Sequence, residues 1–270
     1  MGIFSSTLKP KTTNAKKQIF ILSGQSNMAG RGGVRIDIGV WNGLVPYECQ
    51  PDPSKIRRLN ANLNWETAHV PLHADIDITK TCGVGPGMSF ANAIKDHITG
   101  VIHLVPCAVG GTAISQWAKG EKLYENMVWR AKAAVKKGGE IKAMLWYQGG
   151  NDTTSIEKAT SYKTNMENLI HNIRSDLGLP SLPIIQVAVE SCFVPELLPI
   201  VREAQKSINL PNVICIDSLG LALKHDNLHL TTGAQVKLGH MFADAYLTNF
   251  VEPFAHVVGG EFTSCYNCCC

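Results

Sequence analysis

Short apolar segments that alternate with longer amphipathic segments constrain the fold of this chain more than any other feature. The apolar segments are 19–22, 101–105, 141–147, 183–189 and 213–216, and they have the composition and length of buried strands. The intervening sequence predicts helices over 85–97, 121–137, 156–177, 195–208 and 231–250. This alternation is typical of a parallel sheet covered by helices on both faces, and it predicts one α/β domain over residues 18–255.

A long stretch between the first strand and the first helix, residues 31–84, breaks this alternation. It contains several prolines, and its hydrophobic residues show no sustained period, which predicts an irregular loop with a functional role. Two tryptophans in the stretch, Trp41 and Trp65, allow two interpretations. They either line a sugar-binding cleft or pin the loop to the domain.

The two ends of the chain differ in composition from the predicted domain. Residues 1–17 are polar and basic without the apolar core of a secretory signal, so they predict a flexible tail on a cytoplasmic protein. Gly2 and Ser6 fit the myristoylation pattern, which predicts weak membrane contact through an acylated Gly2; a plain flexible tail is the alternative. Residues 256–270 form a second, cysteine-rich tail that does not match a prenylation box.

Composition excludes several classes of function. The net charge is only +3, and no basic stripe with interleaved aromatic residues is present, so a nucleic-acid partner is not expected. No apolar run approaches the length of a membrane span. Four of the nine cysteines crowd the last six positions without a second ligand pair, and the other five are scattered and expected to be reduced. We therefore expect neither a metal nor a cofactor.

Polar residues follow several predicted strands at the point where each strand ends. Ser26 follows the first strand, Gly110 and Gly111 the second, residues 148–152 the third, and residues 226–229 come shortly after the fifth. Because the carboxyl ends of parallel strands share one edge of a sheet, these residues are predicted to lie near one another.

This set of residues matches the needs of nucleophilic catalysis. A serine hydroxyl such as Ser26 needs a general base, and His229 is suited to that role at neutral pH. An acid orients such a histidine; Asp226 lies three residues before it, and Asp152 is the alternative. Negative charge that develops on a substrate oxygen needs preorganised donors, which backbone N–H groups and a side-chain amide can provide.

Four motifs in this order resemble the four sequence blocks of the SGNH hydrolases. They are Gly-Gln-Ser-Asn-Met-Ala-Gly at 24–30, Gly-Gly-Thr at 110–112, Gln-Gly-Gly-Asn-Asp at 148–152 and Asp-Asn-Leu-His at 226–229. The chain is most similar to the branch with sialate O-acetylesterase-type domains and carbohydrate esterase family 6, which includes plant carbohydrate esterases. The resemblance implies a three-layer sandwich with a five-stranded parallel sheet in the flavodoxin-like order 2-1-3-4-5, and it spans about residues 18–250.

The resemblance also implies roles for individual residues in metal-free ester hydrolysis through an acyl-enzyme. Ser26 would be the nucleophile, His229 the base and Asp226 the acid. The oxyanion hole would combine backbone N–H groups of Ser26 and of Gly111, or of Gly110 instead, with a side-chain amide. Either Gln148 or Asn151 fits that last role.

One departure from the branch pattern leaves the function open. The third block usually reads Gln-Gly-Glu-Ser-Asp, whereas here Gly150 replaces the glutamate. The main hypothesis is a serine esterase that removes acetyl or other short acyl groups from carbohydrates or related small esters. The alternatives are a non-catalytic glycan-binding pseudoenzyme and a membrane-associated lipid or thioester hydrolase.

Overall fold

A computed structural model describes residues 16–136 and 138–252 of the chain. The expectations for an acylated Gly2, for most of the basic tail and for the cysteine-rich tail lie outside the described residues. The first strand begins at Lys17, one residue before the predicted start of the domain.

A seven-stranded sheet forms the centre of the fold. Nine strands lie within the described residues: β1 (Lys17–Gly24), β2 (Val34–Arg35), β3 (Val40–Trp41), β4 (Ile56–Leu59), β5 (Trp65–Thr67), β6 (Val101–Pro106), β7 (Glu140–Tyr147), β8 (Ile184–Ala188) and β9 (Val213–Asp217). The large sheet has the order β5-β4-β6-β1-β7-β8-β9, and β2 pairs with β3 in a separate hairpin.

The five predicted strands are β1, β6, β7, β8 and β9, and they pair in parallel. Numbered among themselves, they have the order 2-1-3-4-5, as the resemblance implied. The strand count was wrong, because β4 adds to β6 in parallel and β5 adds to β4 in antiparallel orientation. Both extra strands come from the stretch 31–84, which is therefore not wholly irregular.

In the described part of the chain, six α-helices accompany the sheet: α1 (Ser26–Ala29), α2 (Pro86–Ile94), α3 (Lys122–Lys136), α4 (Ile156–Leu177), α5 (Leu198–Lys206) and α6 (Thr232–Phe250). Helix α2 packs against α6, while α4 packs against α3 and α5. The predicted helix over 195–208 is split into a 3-10 turn (Pro195–Leu197) followed by α5. Thr231 caps α6 by accepting a hydrogen bond from the N–H of Ala234.

Aromatic side chains fill the core on both faces of the sheet. On one face Phe20 of β1 meets Phe90 of α2 and Tyr246 of α6 edge-on, with ring centroids 5.1 and 5.0 Å away. On the other face Trp146 of β7 packs edge-on against Trp117 at 5.2 Å. The first set of contacts joins α2 and α6 to the sheet, and the second joins the 3-10 turn Ile114–Trp117, which packs against α3 and α4. Together they give the predicted three-layer sandwich.

The tryptophans of the stretch 31–84 pin it to the domain. Trp65 lies on β5 and packs edge-on against His103 of β6, with ring centroids 4.5 Å apart. Trp41 packs partly buried against the core. Neither residue lines the pocket described below, so the sugar-cleft interpretation is not supported.

Gly24 turns the chain at the carboxyl end of β1. Its φ is +127°, and a Cβ atom at this position would lie 2.3 Å from the carbonyl oxygen of Tyr147 on β7. Because a side chain cannot fit there, only glycine lets β1 end in a sharp turn against its neighbour. This turn places Gln25 and Ser26 at the edge of the sheet.

Candidate active site

Ser26 lies at the start of α1, directly after this turn, and only 5% of its surface is exposed. Its hydroxyl oxygen lies 3.1 Å from Nε2 of His229, a residue 203 positions away in the sequence. The two side chains, which come from opposite ends of the domain, are thus within hydrogen-bonding distance.

The loop that carries His229 is held together by Asp226. Oδ1 of Asp226 accepts hydrogen bonds from the backbone N–H groups of Leu228 and His229, at 3.0 and 2.9 Å. Oδ2 lies 2.7 Å from Nδ1 of the His229 ring. Ser26, His229 and Asp226 therefore form one continuous chain of hydrogen bonds.

The electrostatic environment favours a neutral imidazole and an ionised acid. Burial lowers the pKa of His229, the nearby Asp226 carboxylate raises it, and the positive charges of Arg31 and Lys224 lower it; the net shift is downward. Burial opposes ionisation of Asp226, but hydrogen bonds from His229 and Leu228 outweigh it and lower the pKa of that carboxyl group. At neutral pH the imidazole is therefore free to accept a proton.

Asn27 joins the serine turn to the histidine loop. Its Nδ2 donates to the carbonyl of Leu228 at 3.1 Å, and its Oδ1 accepts from the N–H of Leu230 at 3.0 Å. These two bonds flank His229 on both sides in the chain. Their effect is to fix the loop relative to Ser26.

Gly110 and Gly111 occupy the next strand end, beyond β6. A Cβ atom on Gly110 would lie 3.4 Å from Cβ of Ser26 and 2.5 Å from Nη2 of Arg31, so this glycine fits tightly between them. The N–H of Gly110 donates to Asp77 at 3.0 Å. Gly111, with φ of +75°, lines the pocket and has open space beside its Cα atom.

The two predicted amides, Gln148 and Asn151, lie outside the lining of the pocket that Ser26 borders. Gln148 is fully buried, and its Nε2 donates to the carbonyl of Thr112 and to Asp152, which uses both of its hydrogens. Asn151 is partly exposed, and neither it nor Gln148 lines the pocket.

Gln25 is an amide that sequence reasoning missed. It lines the pocket, and its Oε1 accepts from the N–H groups of Gly149 and Asn151 at 3.2 and 3.4 Å. A Cβ atom on Gly150 would lie 3.1 Å from Nε2 of Gln25, so the glycine that departs from the family pattern leaves room for this amide.

Asp152, the alternative orienting acid, anchors its own loop. Both of its oxygens accept from the N–H of Ile114 at 3.1 Å, and one also accepts from Gln148. Burial raises the pKa of Asp152 to about 6. The acid that lies beside the His229 ring is Asp226 rather than Asp152.

Ser26 and His229 border a pocket of about 280 Å³ with a mixed apolar and basic lining. It is lined by Gln25, Ser26, Arg31, Val34, Ile36, Gly39, Lys80, Thr81, Gly110, Gly111, Phe193, Leu228 and His229. The volume suits a small substituent rather than a large ligand.

Sequence reasoning also missed Arg31 and Asp77, which form an ion pair with side chains 3% and 0% exposed; Arg31 lines the pocket. The sequence shows only that an arginine and an aspartate lie in the predicted loop. No local pattern distinguishes these two residues from the other charged residues of that loop.

The structure also describes five of the nine cysteines. Cys49, Cys82 and Cys107 are buried and free, whereas Cys192 and Cys215 are free but only partly buried. Across residues 16–136 and 138–252, no cluster of three or more His, Cys, Asp or Glu side chains has the geometry to hold a metal ion. Within the same ranges, the helices are too short or too polar to cross a membrane.

Comparison with known proteins places this geometry in context. Residues 16–248 match the family model described as carbohydrate esterase, sialic acid-specific acetylesterase. A probable carbohydrate esterase of Arabidopsis thaliana is 59% identical over 240 residues, which cover 86% of this chain and 91% of that protein. The crystal structure of the Arabidopsis protein has a TM-score of 0.84 and covers 86% of this chain and 98% of its own.

Two further solved structures resemble the fold at low sequence identity. NanS is 16% identical with a TM-score of 0.68, covering 86% of this chain and 97% of its own. A carbohydrate acetylesterase from Xanthomonas citri is 18% identical with a TM-score of 0.61, covering 86% of this chain and 56% of its own.

Proposed function

The chain belongs to the carbohydrate esterase, sialic acid-specific acetylesterase family, and from that premise we propose that it removes acetyl or other short acyl groups from carbohydrates through Ser26, His229 and Asp226. The observation that carries this proposal is the chain of hydrogen bonds from Ser26 Oγ to His229 Nε2 and from His229 Nδ1 to Asp226. This arrangement borders a pocket large enough for an acyl group.

In the first half of the reaction, Ser26 Oγ attacks the carbonyl carbon of the ester while His229 Nε2 takes the hydroxyl proton. The carbonyl electrons move onto oxygen and give a tetrahedral oxyanion. When this intermediate collapses, the bond to the sugar oxygen breaks, and the imidazolium returns its proton to that oxygen. The deacetylated sugar leaves, and the acyl group remains on Ser26.

In the second half, a water molecule attacks the acyl carbon and gives a proton to His229. The second tetrahedral intermediate expels the Ser26 oxygen, which recovers that proton, and the carboxylic acid is released. Asp226 stays ionised throughout and stabilises the imidazolium that forms in each half.

For the oxyanion hole we propose the backbone N–H groups of Ser26 and Gly111 together with the side-chain amide of Gln25. Gln148 would have to break two internal hydrogen bonds to reach the pocket, and Asn151 would have to turn toward it. Gln25 already borders the pocket, with its carbonyl oxygen anchored by two backbone donors.

Three measurements test the proposed function. Ser26→Ala should abolish hydrolysis of an activated acetate ester, and the wild-type protein should form a covalent adduct with a serine-directed phosphonate that the variant does not form. Acetate release from acetylated sugars should likewise depend on Ser26. Equal turnover by the variant and the wild type would rule out this mechanism, while glycan binding by the wild type with no turnover would favour a pseudoenzyme.

A further inference from the structure

We propose that the buried Arg31–Asp77 pair is a positioning device for this reaction: Asp77 fixes the Gly110–Gly111 loop against Ser26, and Arg31 directs positive charge toward the oxyanion. The inference rests on the proposed ester hydrolysis. It assigns a positioning role to Arg31 and Asp77, which both belong to the stretch 31–84.

Asp77 holds the glycine loop through one oxygen. Its Oδ2 accepts from the N–H of Gly110 at 3.0 Å and from Nη2 of Arg31. Its Oδ1 is buried and accepts no hydrogen bond from the described residues. A buried carboxylate with an unsatisfied oxygen is unfavourable for folding alone, so its position calls for another reason.

The hydrogen bond between Gly110 and Asp77 determines which glycine N–H group is available to donate to the oxyanion. Because the N–H of Gly110 is committed to Asp77, it is not available to a substrate oxygen. Gly111, the next residue, has no such bond and faces the pocket. Asp77 therefore fixes the peptide that precedes the Gly111 N–H group and so sets the direction of that donor.

Arg31 both pairs with this carboxylate and lines the pocket beside Ser26. Its Nη2 atom approaches the face of Gly110 that also contacts Ser26, and its Nη1 donates to the carbonyl of Gly30 at 2.9 Å. Arg31 lines the pocket, whereas Asp77 does not. The pair is thus oriented with its positive end toward the pocket.

A fixed positive charge in a water-poor site stabilises a developing oxyanion without reorganisation. The same charge acts on the base, since Arg31 contributes to lowering the pKa of His229. The charged groups that act on His229 are Asp226, which raises its pKa, and Arg31 and Lys224, which lower it. Removing only the Arg31 charge should therefore raise the pKa of His229.

Arg31→Met and Arg31→Lys separate these effects. With Arg31→Met we expect kcat to fall about tenfold or more with little change in KM, since the lost stabilisation concerns the transition state. The acid limb of kcat/KM should move to higher pH, because activity is lost as pH falls through the pKa of His229. Arg31→Lys keeps the charge, so its acid limb should stay near the wild-type position.

Two further variants guard against a purely structural effect. Arg174→Met removes a buried arginine whose partners, the carbonyls of Leu182 and Pro211, lie at the opposite edge of the sheet. It should lower the melting temperature and leave kcat and the pH profile unchanged.

If Arg31→Met does not fold because Asp77 is left unpaired, the double variant Arg31→Met with Asp77→Asn replaces the pair by neutral groups. It should show the same loss of kcat and the same shift.

A folded Arg31→Met or double variant with wild-type kcat and an unmoved acid limb would overturn the positioning role. If Ser26→Ala is inactive at the same time, the proposed function survives and only this inference fails. If Ser26→Ala remains active, the proposed function itself fails.

Discussion

The two sides of the pocket are held in place in different ways. The side of the proposed nucleophile (the nucleophile side), Ser26 with the glycine loop at Gly110 and Gly111, lies at strand ends, and Gly110 contacts a buried ion pair. The base loop, residues 226–229, lies at the surface: the side chains of Asp226 and His229 are 28% and 13% exposed. The groups proposed to face a developing charge are thus fixed at the edge of the sheet, whereas the proposed base, His229, depends on a few polar bonds.

Substitutions on the two sides of the pocket should therefore differ in how they affect stability and rate. On the nucleophile side, substitutions disturb buried contacts, so they should affect stability as well as rate. In the base loop they should affect rate with little loss of stability, because few core contacts are involved.

The strongest test of the base loop is Asp226→Asn. The asparagine can still accept the two backbone hydrogen bonds, but it loses the negative charge that stabilises the imidazolium, so kcat/KM should fall about a thousandfold or more. Because Asp226 raises the pKa of His229, its loss should move the acid limb to lower pH, opposite to the shift expected for Arg31→Met. Steady-state kinetics between pH 4 and 9 would measure both effects.

Asp152→Asn is the matched control, since Asp152 contacts Ile114 and Gln148 rather than His229. It should lower the melting temperature while leaving kcat/KM close to wild type. An equal loss of activity in both variants would mean that the orienting role does not belong to Asp226 alone.

On the nucleophile side, Gln25→Ala tests the proposed oxyanion amide. Removing one donor of this kind typically costs about a hundredfold in kcat. Gln148→Ala should mainly lower the melting temperature, because it breaks a buried network, and Asn151→Ala should have a small effect on both. Kinetics with an activated acetate ester, compared with thermal unfolding, separates the three; a greater loss of kcat in Gln148→Ala or Asn151→Ala would reassign the donor.

A residue of this site can be predicted from the sequence where a short motif marks it. Ser26 and the Asp226/His229 pair are predictable because Ser26 lies in a motif at a strand end and Asp226 and His229 share a four-residue motif shortly after the fifth predicted strand. Gln25 and Arg31 are not, because the bonds that define their roles join residues 124 and 46 positions apart. No local pattern signals such a pairing.

The same reason explains the missed strands. In β4, Arg58 is buried although it is charged, because it pairs with Glu66 and Asp75 and donates to the carbonyl of Leu72. A strand with such a residue has no apolar pattern to detect, and its stability comes from partners that the fold supplies. Strands β1 and β6 to β9 were predictable because most of their side chains are apolar.

Asn27 links the two sides of the pocket. We expect its loss to reduce activity less than Asp226→Asn or Gln25→Ala does. Asn27→Ala removes the bonds to Leu228 and Leu230 on either side of His229, while Asp226 still orients the ring. We therefore expect kcat/KM to fall about tenfold, because His229 spends less time within reach of Ser26. Amide hydrogen exchange should accelerate at Leu230, whose N–H group loses its acceptor. Asn27→Asp keeps that acceptor and should retain the protection of Leu230. Asn92→Ala serves as a second control, because Asn92 lies on α2 and donates to the carbonyls of Glu48 and Gln50. It should leave both activity and hydrogen exchange in the base loop unchanged. Wild-type activity in Asn27→Ala would show that the base loop holds its position through its internal bonds alone.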